Sequence, residues 1–133
     1  MSERDGAVNR GSVILVEDDA VVRGVLVLLL ESEGWTVTEA GDGEIGLGLA
    51  RRLSADVVVT DLRMPGMSGL EMARRIAEMS DPSGVPIVAI TSDVAELRAA
   101  AIHSGRFTRV LSKPLRPVDF LDAVRDAVHA TST

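Results

Sequence analysis

Apolar residues along this chain fall into short aliphatic runs that alternate with longer stretches at helical spacing. Residues 12–16 carry Val-Ile-Leu-Val, a run suited to a strand covered on both faces, and Glu17, Asp18 and Asp19 end it abruptly. Val21, Val22, Val25, Leu28 and Leu29 then recur at the spacing of one helix face until Gly34. The alternation repeats: residues 35–40 read as a strand, and residues 42–53 as a helix weakened by Gly46 and Gly48. Residues 55–61 hold Val57, Val58 and Val59, the clearest buried-strand run in the chain. A turn-rich stretch with Pro65 and Gly66 precedes a helix through Leu70, Ala73, Ile76 and Ala77, which residues 81–84 close. A strand over 85–91 is followed by a helix over 93–104 whose apolar face is mostly alanine, and therefore the least firmly packed. Val110 and Leu111 mark a short fifth strand, and Pro117 opens a last helix packing through Phe120, Leu121, Val124 and Val128.

Five strands alternating with five helices through short connections predict an α/β fold, a parallel sheet with helices on both faces. The 133 residues suffice for one domain with its own core. Aromatic residues make up only 2% of the chain, so that core must be aliphatic. Residues 1–11 show no apolar periodicity and are expected to form a flexible segment, with the domain proper over 12–130 and a tail over 131–133. The absence of cysteine removes disulfides, thiolate nucleophiles and cysteine metal sites, and two histidines are too few for a zinc site. A net charge of -6 disfavours direct nucleic-acid binding. No apolar run is long enough to span a membrane, and the polar start lacks the core of a signal peptide, so a cytoplasmic protein is expected.

In open parallel sheets, ligands sit beyond the carboxyl ends of the strands, where strand order reverses. Four strand ends here carry Glu17 with Asp18, then Asp61, Thr91 and Lys113. If the strands ending at Glu17, Asp61 and Thr91 are neighbours, about 4.8 Å apart, these side chains converge. Carboxylates so crowded repel by roughly 4 kcal/mol per pair at a separation of about 4 Å and an effective dielectric near 20. A cation or a shared proton must relieve this, and oxygen ligands alone suit Mg²⁺ better than zinc or copper. A carboxylate beside such an ion can attack phosphorus, a lysine can neutralise one phosphoryl oxygen, and a hydroxyl can donate to another. Asp61, standing between the acidic pair and Thr91, is the acceptor in this arrangement. Each residue alone has a plainer reading: Asp19 as a helix cap, Asp61 in a Pro-Gly turn, Thr91 and Ser92 as caps, Lys113 as a solvated charge. Met64, Met67, Met72 and Met79 read as core filler or partner surface, and His103 and His129 as ordinary helix-surface residues.

Four segments, Val-Ile-Leu-Val-Glu-Asp-Asp, Val-Val-Val-Thr-Asp-Leu-Arg-Met-Pro-Gly-Met-Ser-Gly, Val-Pro-Ile-Val-Ala-Ile-Thr-Ser and Leu-Ser-Lys-Pro-Leu, resemble in order and spacing those of response-regulator receiver domains, across residues 12–130. The resemblance implies a five-stranded sheet in the order 2-1-3-4-5, doubly wound with five helices. It implies that Asp61 accepts a phosphoryl group from a histidine kinase or histidine phosphotransfer protein in a Mg²⁺-dependent reaction of a two-component phosphorelay. Asp18 would bind Mg²⁺ directly, Glu17 through water, and Arg63 through its backbone carbonyl. Thr91 would be the switch hydroxyl and Lys113 the phosphoryl-binding lysine, with a cis Lys113–Pro114 bond. Such a domain is a signalling switch, not an enzyme with an external substrate; only self-phosphotransfer and slow autodephosphorylation are implied.

Receivers usually carry Tyr or Phe at the position of Val110, and without that ring a muted readout is expected, which Phe107 would in part restore. Arg63 and Asp93 occupy positions that tune dephosphorylation in this family, and their opposite charges could pair across the cleft. A haloacid-dehalogenase-like phosphohydrolase also uses an Asp nucleophile and Mg²⁺, but its second Asp is replaced here by Arg63. A flavodoxin-like flavin site would need a phosphate loop where Glu17, Asp18 and Asp19 stand. No effector motif follows the last helix, so either a stand-alone receiver or a piece of a hybrid kinase or transcription regulator is expected, and Met1 with the polar start favours a stand-alone or N-terminal receiver. The cognate kinase and output partner are not written in the residues.

Overall fold

The computed structural model describes residues 9–79, 84–102 and 106–131. Residues 1–8 of the expected flexible segment, His103 and the end of the tail lie outside the described residues. The elements alternate as β1 (Gly11–Val16), α1 (Ala20–Ser32), β2 (Trp35–Ala40), α2 (Gly43–Arg52), β3 (Val57–Asp61), α3 (Gly69–Ala77), β4 (Ile87–Thr91), α4 (Val94–Ile102), β5 (Arg109–Ser112) and α5 (Pro117–Thr131). The strands form one parallel sheet in the order β2-β1-β3-β4-β5. Consecutive β1 and β2 pair on one side, and the chain then crosses back to lay β3 on the other edge of β1. The carboxyl ends of β1 and β3 therefore flank the point where strand order reverses.

Each strand sends alternate residues to opposite faces, and both faces are covered. Val13, Leu15, Val57, Val59, Val88 and Ile90 pack with Leu26 and Leu30 of α1 and with Phe120, Ala123, Val124 and Ala127 of α5. Ile14, Val16, Val58 and Ala89 pack with Leu47 of α2, Met72, Ala73 and Ile76 of α3, and Ala100 of α4. Met64 and Met72 are buried and Met67 and Met79 pack against the same cluster, so these four methionines fill the core. Trp35 is buried at the amino end of β2, paired with Gly11, on the rim opposite Asp61. Gly11 takes a positive φ there, and a Cβ would stand 2.5 Å from the Asp56 carboxylate and 3.3 Å from the Trp35 ring, so both conformation and space favour glycine.

Two details differ from the sequence expectation. The buried face of α1 is Leu26 and Leu30, with Val22, Val27 and Leu29 partly covered, whereas Val21, Val25 and Leu28 are exposed. The helix is apolar almost all round, so periodicity alone could not select the face; packing against the sheet does, and Asp19 caps the start. Its carboxylate accepts from the Val21 and Val22 amides. Gly46, read as a weakness of α2, lets the helix approach β1: a Cβ would lie 2.7 Å from Val16 Cγ2 and 3.0 Å from Met72 Sδ. Gly48 has no such neighbour.

Candidate functional site

At the carboxyl rim, the register sets Val16 opposite Thr60 and Asp61 opposite Ile90, so Asp61 and Thr91 end β3 and β4 and Glu17 directly follows the adjacent β1. Lys113 follows β5 and donates its backbone N–H to the Thr91 carbonyl at 2.8 Å, which continues the ladder one residue beyond the strand. The Lys113–Pro114 peptide is cis. The Lys113 side chain crosses above the end of β4 and reaches Asp61 Oδ2 at 2.7 Å and Glu17 Oε1 at 3.1 Å. Three groups far apart in sequence thus meet at one ammonium.

Glu17 is only 1% exposed and Asp61 only 6%, whereas Asp18 is open to solvent. Carboxylate oxygens of Glu17, Asp18 and Asp61 all lie within 4.8 Å of one another, a hard-oxygen set of the kind a divalent cation such as Mg²⁺ accepts. Burial pushes the Glu17 carboxyl above its ordinary range, and the nearby Asp61 charge adds to this; hydrogen bonds from the Asp19 amide and Lys113 oppose it. Burial works to lower the Lys113 ammonium, but its hydrogen bonds to Asp61 and Glu17 prevail and hold it above the usual lysine value. Lys113 is therefore cationic at neutral pH and serves as counterion to the acidic cluster.

The remaining Asp61 oxygen, Oδ1, accepts from the Arg63 amide at 3.0 Å, the turn bond common for Asp before such a loop. Gly69 is required beside it, since a Cβ would stand 2.4 Å from the Asp61 carbonyl oxygen. Thr91 is fully buried, and its hydroxyl accepts from the Asp93 amide at 3.1 Å. Asp93, rather than Thr91 or Ser92, caps α4: its Oδ1 accepts from the Ala95 and Glu96 amides. Its Oδ2 pairs with the Arg63 guanidinium, so the two expected modulators do meet across the cleft. Val110 is partly buried against the cluster that holds Phe107, which is itself 7% exposed and sits at the amino end of β5. Phe107 is thus a core residue near the helix α4 side and not a ring at the rim. Arg23, which sequence reasoning passed over, donates to the Glu17 carbonyl at 2.6 Å and pairs with Glu39 at 3.2 Å. Its position one turn into α1 carries no motif signal of its own.

The sequence model of the family described as the response regulator receiver domain matches residues 13–125. The probable transcriptional regulatory protein TcrX of Mycobacterium tuberculosis is 37% identical over 95 residues, covering 71% of this chain and 40% of TcrX. The DNA-binding response regulator MtrA of the same organism is 32% identical over 117 residues, covering 87% of this chain and 50% of MtrA. The chain thus spans half or less of the length of these two relatives. Among solved structures, the receiver domain of the sensor histidine kinase PA1611 of Pseudomonas aeruginosa, with magnesium coordinated in its active-site cleft, superposes with a TM-score of 0.82 at 27% identity, over 90% of this chain and 98% of that one. Full-length FixJ of B. japonicum superposes with a TM-score of 0.83 at 28% identity, over 93% of this chain and 60% of that one. With the sheet order, the acidic cluster and the lysine contact in agreement, this chain belongs to the response regulator receiver domain family.

Proposed function

We propose that the chain carries a phosphoryl group on Asp61 as the receiver step of a two-component relay, taking it from a histidine kinase or a histidine phosphotransfer protein in the cytoplasm. The observation that carries this reading is the convergence of Lys113 on both Asp61 and Glu17, across 52 and 96 residues of chain. Receiver domains exchange phosphoryl groups with such donors and signal through output partners. The domain is assigned to residues 12–130.

In the proposed transfer, an Asp61 carboxylate oxygen forms a bond to phosphorus as the bond from phosphorus to the donor's leaving atom breaks. Asp18, Asp61, Glu17 and the Arg63 carbonyl would hold Mg²⁺, which would supply charge neutralisation to the phosphoryl oxygens. Lys113 shifts its contact from the Asp61 oxygen to the phosphoryl group and keeps the charge balanced. The Thr91 hydroxyl, which accepts from the Asp93 amide, moves toward the phosphoryl group and donates its proton to one of its oxygens. That exchange loosens the link between Thr91 and the start of α4, which supports a readout through α4 and β5. Val110 has no ring to reorient, so the readout is muted relative to a receiver bearing Tyr or Phe there. Loss of phosphate to water is slow, and the Arg63–Asp93 pair screens the approach.

The test is incubation with acetyl phosphate and Mg²⁺ followed by intact mass measurement. The expected result is a gain of one phosphoryl group by the wild type and none by Asp61→Asn. Phosphorylation that survives this substitution rejects the assignment.

A further inference from the structure

We infer that Arg23 is a positioning residue for the divalent cation, acting through the backbone that presents Asp18. The inference rests on the metal assignment made above and extends it to a residue that touches neither the ion nor the phosphoryl group. Asp18 is exposed, and among the described residues no hydrogen bond fixes its carboxylate. Its direction is therefore set by the two peptide groups on either side of it. The preceding carbonyl, that of Glu17, accepts from Arg23 Nη1 at 2.6 Å. The following amide, that of Asp19, donates to Glu17 Oε2 at 3.1 Å. Both peptides flanking the ligand are thus pinned, one by a guanidinium and the other by a carboxylate of the cluster itself.

The guanidinium is in turn held in place. Its Nε pairs with Glu39 Oε1 at 3.2 Å, one residue before the end of β2, and the Arg23 side chain is 21% exposed against 52% for Glu39. The Arg23 amide donates to the Asp19 carbonyl at 2.9 Å, so its backbone belongs to the first turn of the helix that Asp19 caps. Glu17 meanwhile donates its amide to the Ala40 carbonyl at 3.0 Å. Arg23 therefore closes a ring through β1, β2 and α1 around the peptide of Asp18. A lysine could satisfy the carbonyl or the carboxylate, but it lacks the planar fork that reaches both. Groups that orient metal ligands without binding the ion commonly change affinity by about ten- to a hundredfold when removed. Since Arg23 acts on one of several ligands, the lower end applies.

The experiment is a Mg²⁺ titration followed by backbone amide shifts at the rim, for the wild type, Asp18→Asn, Arg23→Ala, Arg23→Lys and Glu39→Gln, with melting temperatures taken in EDTA. The expected result is saturable binding by the wild type, its loss in Asp18→Asn, and about tenfold weaker binding in Arg23→Ala. Arg23→Lys should fall between, and Glu39→Gln should weaken binding to a smaller degree. Arg23→Ala or Glu39→Gln that melts lower in EDTA yet binds Mg²⁺ as the wild type does overturns the inference, because a purely structural staple behaves so. Should Arg23→Ala not fold, Arg23→Lys and Glu39→Gln decide by the same comparison. If the wild type itself fails to bind, or Asp18→Asn binds equally well, the metal assignment fails instead, a result distinct from failure of the Arg23 role.

Discussion

Replacing Arg63 by Ala should shorten the lifetime of the phosphorylated protein. Arg63 lies two residues beyond Asp61 and its guanidinium pairs with Asp93, two residues beyond Thr91, so the pair bridges the two loops bordering Asp61. The Arg63 side chain is 72% exposed and that of Asp93 23% exposed, which limits the strength of the pair. Ion pairs in such settings contribute about 0.2–1 kcal/mol. If all of that opposes the entry of water, its loss accelerates hydrolysis by up to about fivefold, since about 1.4 kcal/mol corresponds to tenfold in rate. Asp93→Ala should act in the same direction, with an added stability loss of about 1 kcal/mol because Asp93 also caps α4. The assay phosphorylates each protein with acetyl phosphate, removes the donor, and follows decay by intact mass. In a double-mutant cycle the pair should accelerate decay no more than either single change. An unchanged or longer half-life in Arg63→Ala would refute the gate, and fully additive effects would show the two residues acting separately.

Lys113→Met leaves Glu17 and Asp61 without their counterion, so it should cost about 2 kcal/mol of stability in EDTA, and added Mg²⁺ should raise its melting temperature more than that of the wild type. Equal Mg²⁺ responses would contradict the counterion role. Gly46→Ala should destabilise by about 1–3 kcal/mol because its Cβ meets Val16 and Met72, whereas Gly48→Ala should stabilise by about 0.5–1 kcal/mol; urea unfolding of both checks the contrast. Hydrogen bonds from Arg74 and then Arg75 hold the Glu71 carboxyl down at about 2. Its contribution is therefore present above the ordinary carboxylate range and fades as pH falls toward that value. The melting-temperature advantage of wild type over Glu71→Gln should shrink between about pH 6 and about pH 3, and a constant gap would argue against it.

How much was legible in the sequence varies by element for physical reasons. The run of Val57, Val58 and Val59 between turn residues could only be a buried strand, and all three are fully buried in β3. Asp19, Pro117 and the strand-end set were readable because caps and strand termini follow local rules. The covered face of α1 was not readable, since nearly every residue there is apolar and only packing against the sheet selects Leu26 and Leu30. Nor was the need for Gly46, which depends on a close approach between α2 and β1 that no local pattern records. The cap of α4 could not be chosen from sequence because Thr91, Ser92 and Asp93 are all capable; Thr91 is drawn into the sheet and leaves Asp93 to bond the first turn. Arg23 carries no signal because its contact is to a backbone carbonyl, which has no sequence signature.

The most direct test of the central claim is a crystal structure of the protein with Mg²⁺ and beryllofluoride. The expected result is a beryllium centre bonded to an Asp61 carboxylate oxygen, with Lys113 Nζ and the Thr91 hydroxyl on its fluorides. The metal should lie against Asp18, Asp61 and the Arg63 carbonyl, with Glu17 one water away. Metal bound elsewhere, or a beryllofluoride group attached to any residue other than Asp61, would contradict it.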